Sequence, residues 1–357
     1  MFRSFASRWL PSHGSHDTSA SSLVEGGLQP ARQRRDSSLP LTVITQNLYA
    51  SETADPARRV RAFADYLERA RPDIVAVQEL MPWNAKLLIS SAAVRRLYPL
   101  AEADLLDSGE TTPWTYVLSR WPRLERRRVP GIGGWRGLDV QRLNVSGAAL
   151  TVASAHFTAD DCPVAPSVDE QEASGPGADR IDWGAACPGS AGRVADLQAT
   201  LSALDGAEAT RDALLLGDFN FGPTRHPAAA AVWYGAELEA MRSHPQWRDA
   251  WAEGNATLGL SWDNQRNPIN KRGDENDVPF NQPSSRCDRV LVRGKHLRVR
   301  SARLLEGRVP CRPRDEHEAQ AAGRSCKPTL ISDHFGVKVA MVLAVRPPPV
   351  DLDKGDL

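Results

Sequence analysis

The sequence has no excess of either charge, because 44 Lys and Arg residues stand against 44 Asp and Glu residues and the formal net charge is zero. A chain without net positive charge has no global attraction to phosphate, which excludes a strongly cationic nucleic-acid coat but leaves room for a local basic groove. The sequence also lacks a run of about 18 apolar residues, which a transmembrane helix requires. We therefore expect a globular protein with no transmembrane segment, and no feature indicates an obligate protein partner.

Cysteine is scarce as well, with five residues whose spacing matches no zinc motif. Cys162 and Cys187 bracket one loop-like stretch, and Cys311 and Cys326 bracket another. One interpretation is two disulfides with Cys287 left over, and the other is five unrelated thiols in a reducing compartment. We expect unrelated thiols, because a chain of this length does not need disulfides to be stable.

The two ends of the chain differ from its middle in composition. Residues 1–40 are rich in Ser and Arg, poor in acids and without an apolar period, which predicts a disordered leader. The leader lacks the apolar segment of a secretory signal, and its composition fits a transit peptide, a bacterial secretion leader or a passive tail. Residues 346–357 predict a Pro-rich acidic tail, so that residues 41–345 form the folded domain.

Within residues 41–345, short apolar runs alternate with helical patterns, which is typical of an α/β fold. Predicted strands cover residues 41–48, 74–77, 116–118, 138–145, 148–155, 213–216, 289–292 and 335–345. Helical patterns begin at Asp55-Pro56 and cover residues 83–97 and 191–204. The stretches 157–190 and 264–285 are polar and rich in Gly, Pro, Asn and Asp, which predicts long loops.

Polar side chains stand at the ends of these predicted strands. Five of them follow early strands and three precede late strands, and together they are Asn47, Glu79, His156, Asp218, Asn220, Asp288, Asp333 and His334. If the late strands run antiparallel to the early ones, all eight side chains meet on one edge of the sheets. Carboxylates, amides and imidazoles without Cys or Ser suit a hard cation such as Mg²⁺ and a phosphate ester. Each residue alone would be ordinary in a turn or a loop.

The series TQN (45–47), VQE (77–79), SAH (154–156), GDFN (217–220), RCD (286–288) and SDH (332–334) resembles the endonuclease/exonuclease/phosphatase superfamily, with all motifs in family order. The resemblance covers residues 41–345, which would form the catalytic domain. It implies a four-layer α/β/β/α sandwich, in which two mixed sheets pack face to face and helices flank them. It also implies a metal-dependent phosphodiesterase or phosphatase.

The resemblance implies a metal site as well. Glu79 would be the main ligand of Mg²⁺, for which Mn²⁺ could substitute. Asn47 would lie close by and hold the ion or the phosphate, and Asp333 would be a supporting ligand.

Five catalytic residues are implied by position in the motifs. Asp218 would orient or deprotonate the attacking water, and Asn220 would help to position it. His334 would stabilise negative charge on the phosphate, and Asp288 would hold His334 in one tautomer. His156 would be a second contact to the phosphate or to the leaving group.

The substrate of this superfamily varies, and two stretches resemble one branch. Residues 261–268 (SWDNQRNP) and the SDHFG of residues 332–336 are similar to segments of 5′-tyrosyl-DNA phosphodiesterases, which implies a DNA-end substrate with Trp262 and Arg286 as contacts. Gln46 departs from the Trp that is usual in this branch. Basic clusters at 123–128 and 286–303 are either the solvated faces of strands or phosphate-binding strips.

The sequence is also compatible with other functions. Residues 155–162 and Arg193 resemble the stretch after the same histidine in bacterial sphingomyelinases, which would imply a lipid phosphodiesterase. An inositol-phosphate phosphatase is a further alternative within the superfamily. A catalytically inactive binding module is disfavoured, because no motif residue is missing.

We predict that hydrolysis requires Mg²⁺ or Mn²⁺, since the three predicted ligands of the ion, Asn47, Glu79 and Asp333, all offer oxygen atoms. Turnover should therefore stop in excess EDTA and return when Mg²⁺ is restored. Full turnover in EDTA, by protein in which elemental analysis finds no metal, would refute the assignment of the site.

Overall fold

The computed structural model describes most of the folded domain. Its described residues are 37–51, 55–106, 114–159, 189–206, 212–225, 227–272, 284–321 and 325–345, all within the compact unit Asp36–Leu357. Almost all of the predicted leader, Cys162, Cys187 and the predicted tail lie outside the described residues. In the described part of the chain, no helix combines the length and the apolar character needed to cross a membrane.

Two mixed sheets form the centre of the fold. The strands are β1 (Ser37–Asn47), β2 (Ile74–Gln78), β3 (Thr115–Ser119), β4 (Arg123–Gly131), β5 (Gly134–Val145), β6 (Ala148–His156), β7 (Ala213–Asp218), β8 (Trp247–Asp249), β9 (Asp288–Arg293), β10 (Leu297–Leu305), β11 (Arg308–Val309), β12 (Thr329–Leu330) and β13 (Gly336–Val345). The first sheet has the order β10-β13-β1-β2-β3 and the second β4-β5-β6-β7-β9-β8, while β11 and β12 pair separately.

Helices connect these strands. They are α1 (Pro56–Ala70), α2 (Pro82–Ser90), α3 (Ala92–Leu97), α4 (Ala101–Leu106), α5 (Ser190–Asp205), α6 (Pro227–Arg242), α7 (Ala250–Gly254), α8 (Pro268–Arg272) and α9 (Pro313–Ala321). Helix α1 begins at a proline, whose fixed φ suits the first helical position. Its residues Val60, Phe63, Ala64 and Leu67 form one buried stripe at helical spacing.

Alternation along the strands separates an inner core from two outer cores. Val43 of β1 packs between the sheets with Leu214 and Leu216 of β7, whereas the next residue, Ile44, packs outward against α1. A third cluster joins the outer face of the second sheet to α5 and α6, through residues such as Leu197. The predicted four-layer α/β/β/α sandwich is thereby confirmed.

Strand directions bring the motif residues to one edge. β1 runs parallel to β2, and β6 runs parallel to β7, so that His156 stands beside Asp218. β13 runs antiparallel to β1, and β9 runs antiparallel to β7, so that Asp288 stands opposite Asp218. The ends of early strands therefore meet the beginnings of late ones, as the sequence predicted.

Several elements differ from the sequence expectations, and β1, β4 and β10 are the longest strands among them. β1 begins at Ser37, four residues before the predicted start, and its first residues pair with the end of β13. β4 and β10 were not predicted as strands, because frequent arginines interrupt their apolar pattern. Both strands are stabilised by their ladders, and β4 also by salt bridges from Arg123 and Arg126, which composition does not reveal.

The expectation of five unrelated thiols is wrong for one pair. Cys311 and Cys326 form a disulfide that closes the segment containing α9. This segment packs through few apolar residues, so a covalent link restricts the unfolded chain where burial contributes little. Cys287 is free and buried.

We predict that a chain beginning at Leu41 is less stable than one beginning at Asp36, which retains all of β1. The shorter chain loses four cross-strand pairs with β13 and the partly buried side chain of Leu39, worth roughly 1–3 kcal/mol in free energy of unfolding. Urea unfolding of both chains measures the difference. Equal midpoints would show that β1 needs only residues 41–47.

Candidate active site

Asp218 lies at the centre of the site, at the end of β7, and its side chain is 1% exposed. Its Oδ2 accepts a hydrogen bond from Asn47 Nδ2 at 3.0 Å and lies 3.6 Å from His156 Nε2 and 3.7 Å from His334 Nε2. Its Oδ1 accepts from the backbone N–H of Asn220 at 2.9 Å. One carboxylate thus faces three side chains from three strand ends.

The glycine of the GDFN motif explains this close approach. A Cβ on Gly217 would stand 2.0 Å from the carbonyl oxygen of Ala155 on β6. Only a residue without a side chain lets the two strands lie this close just before His156 and Asp218.

His156 is held as a neutral imidazole. Its Nδ1 accepts a hydrogen bond from the indole Nε1 of Trp114 at 2.8 Å. Burial lowers the pKa of His156 to about 3, even though Asp218 favours the charged form. A neutral ring whose Nδ1 accepts must carry its proton on Nε2, which is the nitrogen that faces Asp218.

His334 is held in the opposite charge state. Its Nδ1 lies 2.7 Å from Asp288 Oδ2. Burial lowers the pKa of His334, but the carboxylates of Asp288 and Asp218 outweigh burial and place this pKa well above its ordinary value. His334 is therefore an imidazolium at neutral pH, with one N–H directed at Asp288 and the other towards Asp218.

Cys287 lies beside this pair and does not turn it into a metal site. Among described residues, ligand atoms of Asp218, Cys287 and His334 lie within 4.8 Å of one another. Burial, however, raises the pKa of the Cys287 thiol to about 11, so it stays protonated. A neutral thiol and a cationic imidazolium both disfavour a cation between them.

Glu79 is the residue best placed to hold a divalent cation. Its side chain is half-buried, and its two oxygens accept from Asn47 Nδ2 at 2.9 Å and from the backbone N–H of Ala50 at 2.6 Å. Asn84 Nδ2 donates to the backbone carbonyl of Glu79 at 2.8 Å. The carboxylate is thereby fixed while retaining lone pairs for an ion.

The other two predicted ligands, Asp333 and Asn47, have different surroundings in the structure. Burial raises the pKa of Asp333 to about 7, with Glu79 adding to the effect and His334 opposing it, so this acid would gain from a nearby cation. Asn47 directs its amide nitrogen at both Glu79 and Asp218, while its oxygen accepts from Tyr49 N–H. Asn47 therefore orients two carboxylates, and its role in holding the ion or the phosphate stays a prediction.

The backbone is strained where three early strands end. Tyr49, Glu79 and Asn220 have left-handed φ angles of 56°, 56° and 54°. Such angles are unfavourable for residues with a side chain and occur mainly where a site requires them. Each of the three residues follows its strand by one or two positions and turns the chain away from the sheet at the site.

The pattern of the Endonuclease/Exonuclease/phosphatase family matches residues 44–334, which span the site and most of the chain. The chain belongs to this family. Members of the family are generally phosphoric ester hydrolases and typically use a divalent metal. No curated protein matches the sequence.

Several solved structures share the fold of this family member. D. rerio TDP2, solved with a single-strand DNA product, has a TM-score of 0.58 at 19% identity and covers 85% of this chain and 98% of its own. Truncated Caenorhabditis elegans TDP2 has a TM-score of 0.52 at 15% identity, and the match covers 85% of this chain and 98% of that protein. A family protein from Bacteroides thetaiotaomicron has a TM-score of 0.52 at 15% identity, and the match covers 87% of this chain and 100% of that protein.

Two residues that the sequence did not single out hold the site loops together. Buried Arg59 of α1 donates to the carbonyl oxygens of Leu48, Tyr49, Ser51 and Ile331, on both sides of the site. Asn267 donates to the carbonyls of Ser332 and Asp333 at 3.0 and 2.7 Å. The spacing of the WDNQRN motif contained a signal for Asn267, whereas Arg59 looked like an ordinary surface arginine of a helix.

Gln46, the departure from the usual tryptophan, is also part of this framework. It is fully buried, and its Nε2 donates to the carbonyls of Asn47 at 2.7 Å and His334 at 3.3 Å. The side chain thus joins β1 to the segment that carries His334. Its neighbour Gly336 leaves room for it, since a Cβ there would stand 2.4 Å from Gln46 Oε1.

The structure places both predicted substrate contacts in the interior of the site. Trp262 is 6% exposed and packs edge-on against the His334 ring, with centroids 5.0 Å apart, so it acts on the imidazole. Arg286 is buried, and its guanidinium donates to Asp249 at 3.0 Å. The position of a residue in the sequence does not show whether its side chain contacts the rest of the protein or a substrate.

The two basic clusters are not phosphate-binding strips as a whole. Arg123 and Arg126 are paired with Asp104, and Arg126 also with Asp139. In the second cluster, Arg289 lies buried near Asp249, and Arg293 is paired with Asp205. Much of their charge is therefore neutralised inside the protein.

We predict that Trp114→Phe lowers turnover by about tenfold with little change in fold. The variant loses the donor that fixes the His156 tautomer, and tenfold corresponds to about 1.4 kcal/mol. Steady-state kinetics with a chromogenic phosphodiester provides the measurement. Trp121→Phe is the matched control, because its indole N–H makes no hydrogen bond within the described residues. Equal kinetics in both variants would contradict a role for Trp114.

Proposed function

We propose that this protein is a divalent-metal-dependent phosphodiesterase that hydrolyses a phosphodiester bond at a DNA end, such as a tyrosyl-DNA bond. The observation that carries the proposal is the arrangement of Asp218 between a neutral and a cationic imidazole. A purely structural cluster would gain nothing from holding two histidines in opposite charge states. Attack on a phosphodiester requires both a group that orients water and a cation for the developing charge.

The donor set fits a hard divalent cation, Mg²⁺ or Mn²⁺. Such an ion keeps several waters and needs only one or two carboxylates from the protein. Glu79 offers a fixed, half-buried carboxylate, and Asp333 is a buried acid whose charge a cation would favour. When bound, the ion would polarise a phosphoryl oxygen.

The protein's own residues divide the remaining work. The Asp218 carboxylate, oriented by Asn47 and by the backbone of Asn220, orients the attacking water and accepts its proton. The His334 imidazolium stabilises negative charge on the phosphoryl oxygens. The Nε2–H of His156 donates to a phosphoryl oxygen or to the leaving-group oxygen.

Support for a nucleic-acid substrate comes from two sources. The stretch with Trp262, Asp263 and Asn267, together with the SDHFG of residues 332–336, resembles 5′-tyrosyl-DNA phosphodiesterases. The fold is shared with D. rerio TDP2, which was solved with a single-strand DNA product. The residues of the sphingomyelinase resemblance at 160–162 lie outside the described part of the chain.

The proposal is tested by a substrate panel in Mg²⁺. The panel contains a 5′-tyrosyl oligonucleotide, an abasic duplex, a plasmid, sphingomyelin and an inositol polyphosphate. We expect hydrolysis of the 5′-tyrosyl oligonucleotide to have the highest kcat/KM. Asp218→Asn, a nearly isosteric change, is the control for contaminating enzymes and should lower turnover at least ~100-fold.

Faster hydrolysis of sphingomyelin or of the inositol polyphosphate would keep the chemistry and overturn the DNA-end substrate. No hydrolysis of any substrate by folded protein in Mg²⁺ or Mn²⁺ would favour an inactive binding module. Hydrolysis that Asp218→Asn leaves unchanged would overturn the assigned mechanism.

We predict that Asp288 and His334 act as one unit. Asp288→Asn removes the carboxylate that raises the pKa of His334, so the imidazolium is lost at a lower pH and the alkaline limb of the pH–rate profile moves to lower pH. Turnover should fall by less than in His334→Ala, with little change in metal affinity. The double variant should be hardly slower than His334→Ala alone. Losses that multiply would show that the two residues are not coupled.

A further inference from the structure

A pocket separate from the active site lies between helix α1, strands β10 and β13, and the segment 306–312. Its volume is about 430 Å³, within the range of small-molecule sites. Five cationic side chains line it: Arg69, Arg303, Arg308, Arg312 and Lys338. We call it the α1 pocket.

The acids of the α1 pocket neutralise only part of this charge. Asp65 is paired with Arg312, and Glu306 is paired with Arg266, which lies outside the lining. In the part of the chain that the structure describes, the other four cations make no hydrogen bond or ion pair. This differs from the two basic clusters of the sequence, where several arginines have an acid or a carbonyl as partner.

Two of these cations are placed directly opposite each other. Arg303 on β10 and Lys338 on β13 are cross-strand partners in the first sheet. Like charges in this position are destabilising. Partial burial lowers the pKa of Lys338, and the charge of Arg303 lowers it further. A fold that keeps such a pair beside a cavity is stabilised when an anion lies between the two charges.

The remaining lining indicates the kind of anion. Tyr66 and Leu304 are partly buried, and Ile331 is buried, so the pocket offers an apolar wall beside the cations. Arginine and lysine together match phosphate groups by charge and by donor geometry. We propose that the α1 pocket binds a small molecule that carries two phosphate groups. This inference does not rest on the proposed catalytic function.

Isothermal titration of the full chain tests the proposal, in EDTA and at constant ionic strength. The probes are inorganic pyrophosphate and ADP, which distinguish a free diphosphate from an organic one that also uses the apolar wall. We expect saturable binding of at least one probe, with Kd below about 1 mM. Arg303→Gln and Lys338→Gln should each weaken it at least about tenfold.

Two controls separate this site from general charge and from the active site. Arg298→Gln combined with Arg300→Gln removes two exposed cations from the same strand outside the pocket lining, and should leave binding unchanged. His334→Ala should also leave it unchanged. A loss of binding in either control that equals the loss in Lys338→Gln would overturn the proposal, as would no saturable binding up to several millimolar.

Stability gives an independent readout. Without ligand, Lys338→Gln should unfold at a higher urea concentration than the natural chain, because the repulsion is removed. With pyrophosphate or ADP, the natural chain should be stabilised and the variant should not. A variant less stable than the natural chain without ligand would contradict the repulsion on which the inference depends. Phosphodiester hydrolysis by Lys338→Gln should be unchanged, which keeps this test separate from that of the active site.

Discussion

A single oxygen of Asp218 faces nitrogen atoms of Asn47, His156 and His334. Asn47 ends β1, His156 ends β6, and His334 lies just before β13. A buried carboxylate is unfavourable unless donors or cations surround it. The three nitrogens meet this requirement only when both sheets are complete and in register. The charge of Asp218 therefore links the chemistry of the site to the packing of the two sheets.

The surrounding framework serves to keep these nitrogens in their positions and charge states. Trp114 fixes the proton of His156, and Asp288 fixes the proton and the charge of His334. Arg59 and Asn267 hold the carbonyl groups of the loops that carry the site. The strained φ angles after three strands are tolerated because this framework restricts the alternatives.

Much of this arrangement could be predicted from the sequence. The apolar runs indicated the buried strands, because such runs follow from local periodicity. The polar residues at the strand ends, in the order of the family motifs, indicated the edge of the sheets where the site lies. The arginine-rich strands β4 and β10 were missed, since both depend on ladders with distant strands and β4 depends also on ion pairs with Asp104 and Asp139. Arg286, Trp262 and Asn47 were assigned by position alone, and their roles depend on which way each side chain points, which only packing decides.

His156 is neutral and His334 is cationic on either side of Asp218, and the proposed chemistry depends on this difference in charge. Long-range ¹H–¹⁵N NMR of the imidazole rings measures this directly, with His156→Gln and His334→Gln variants for assignment. At pH 7 we predict a His156 ring protonated on Nε2 only and a His334 ring protonated on both nitrogens. A spectrum in which both rings are neutral, or in which His156 carries the positive charge, would contradict the account.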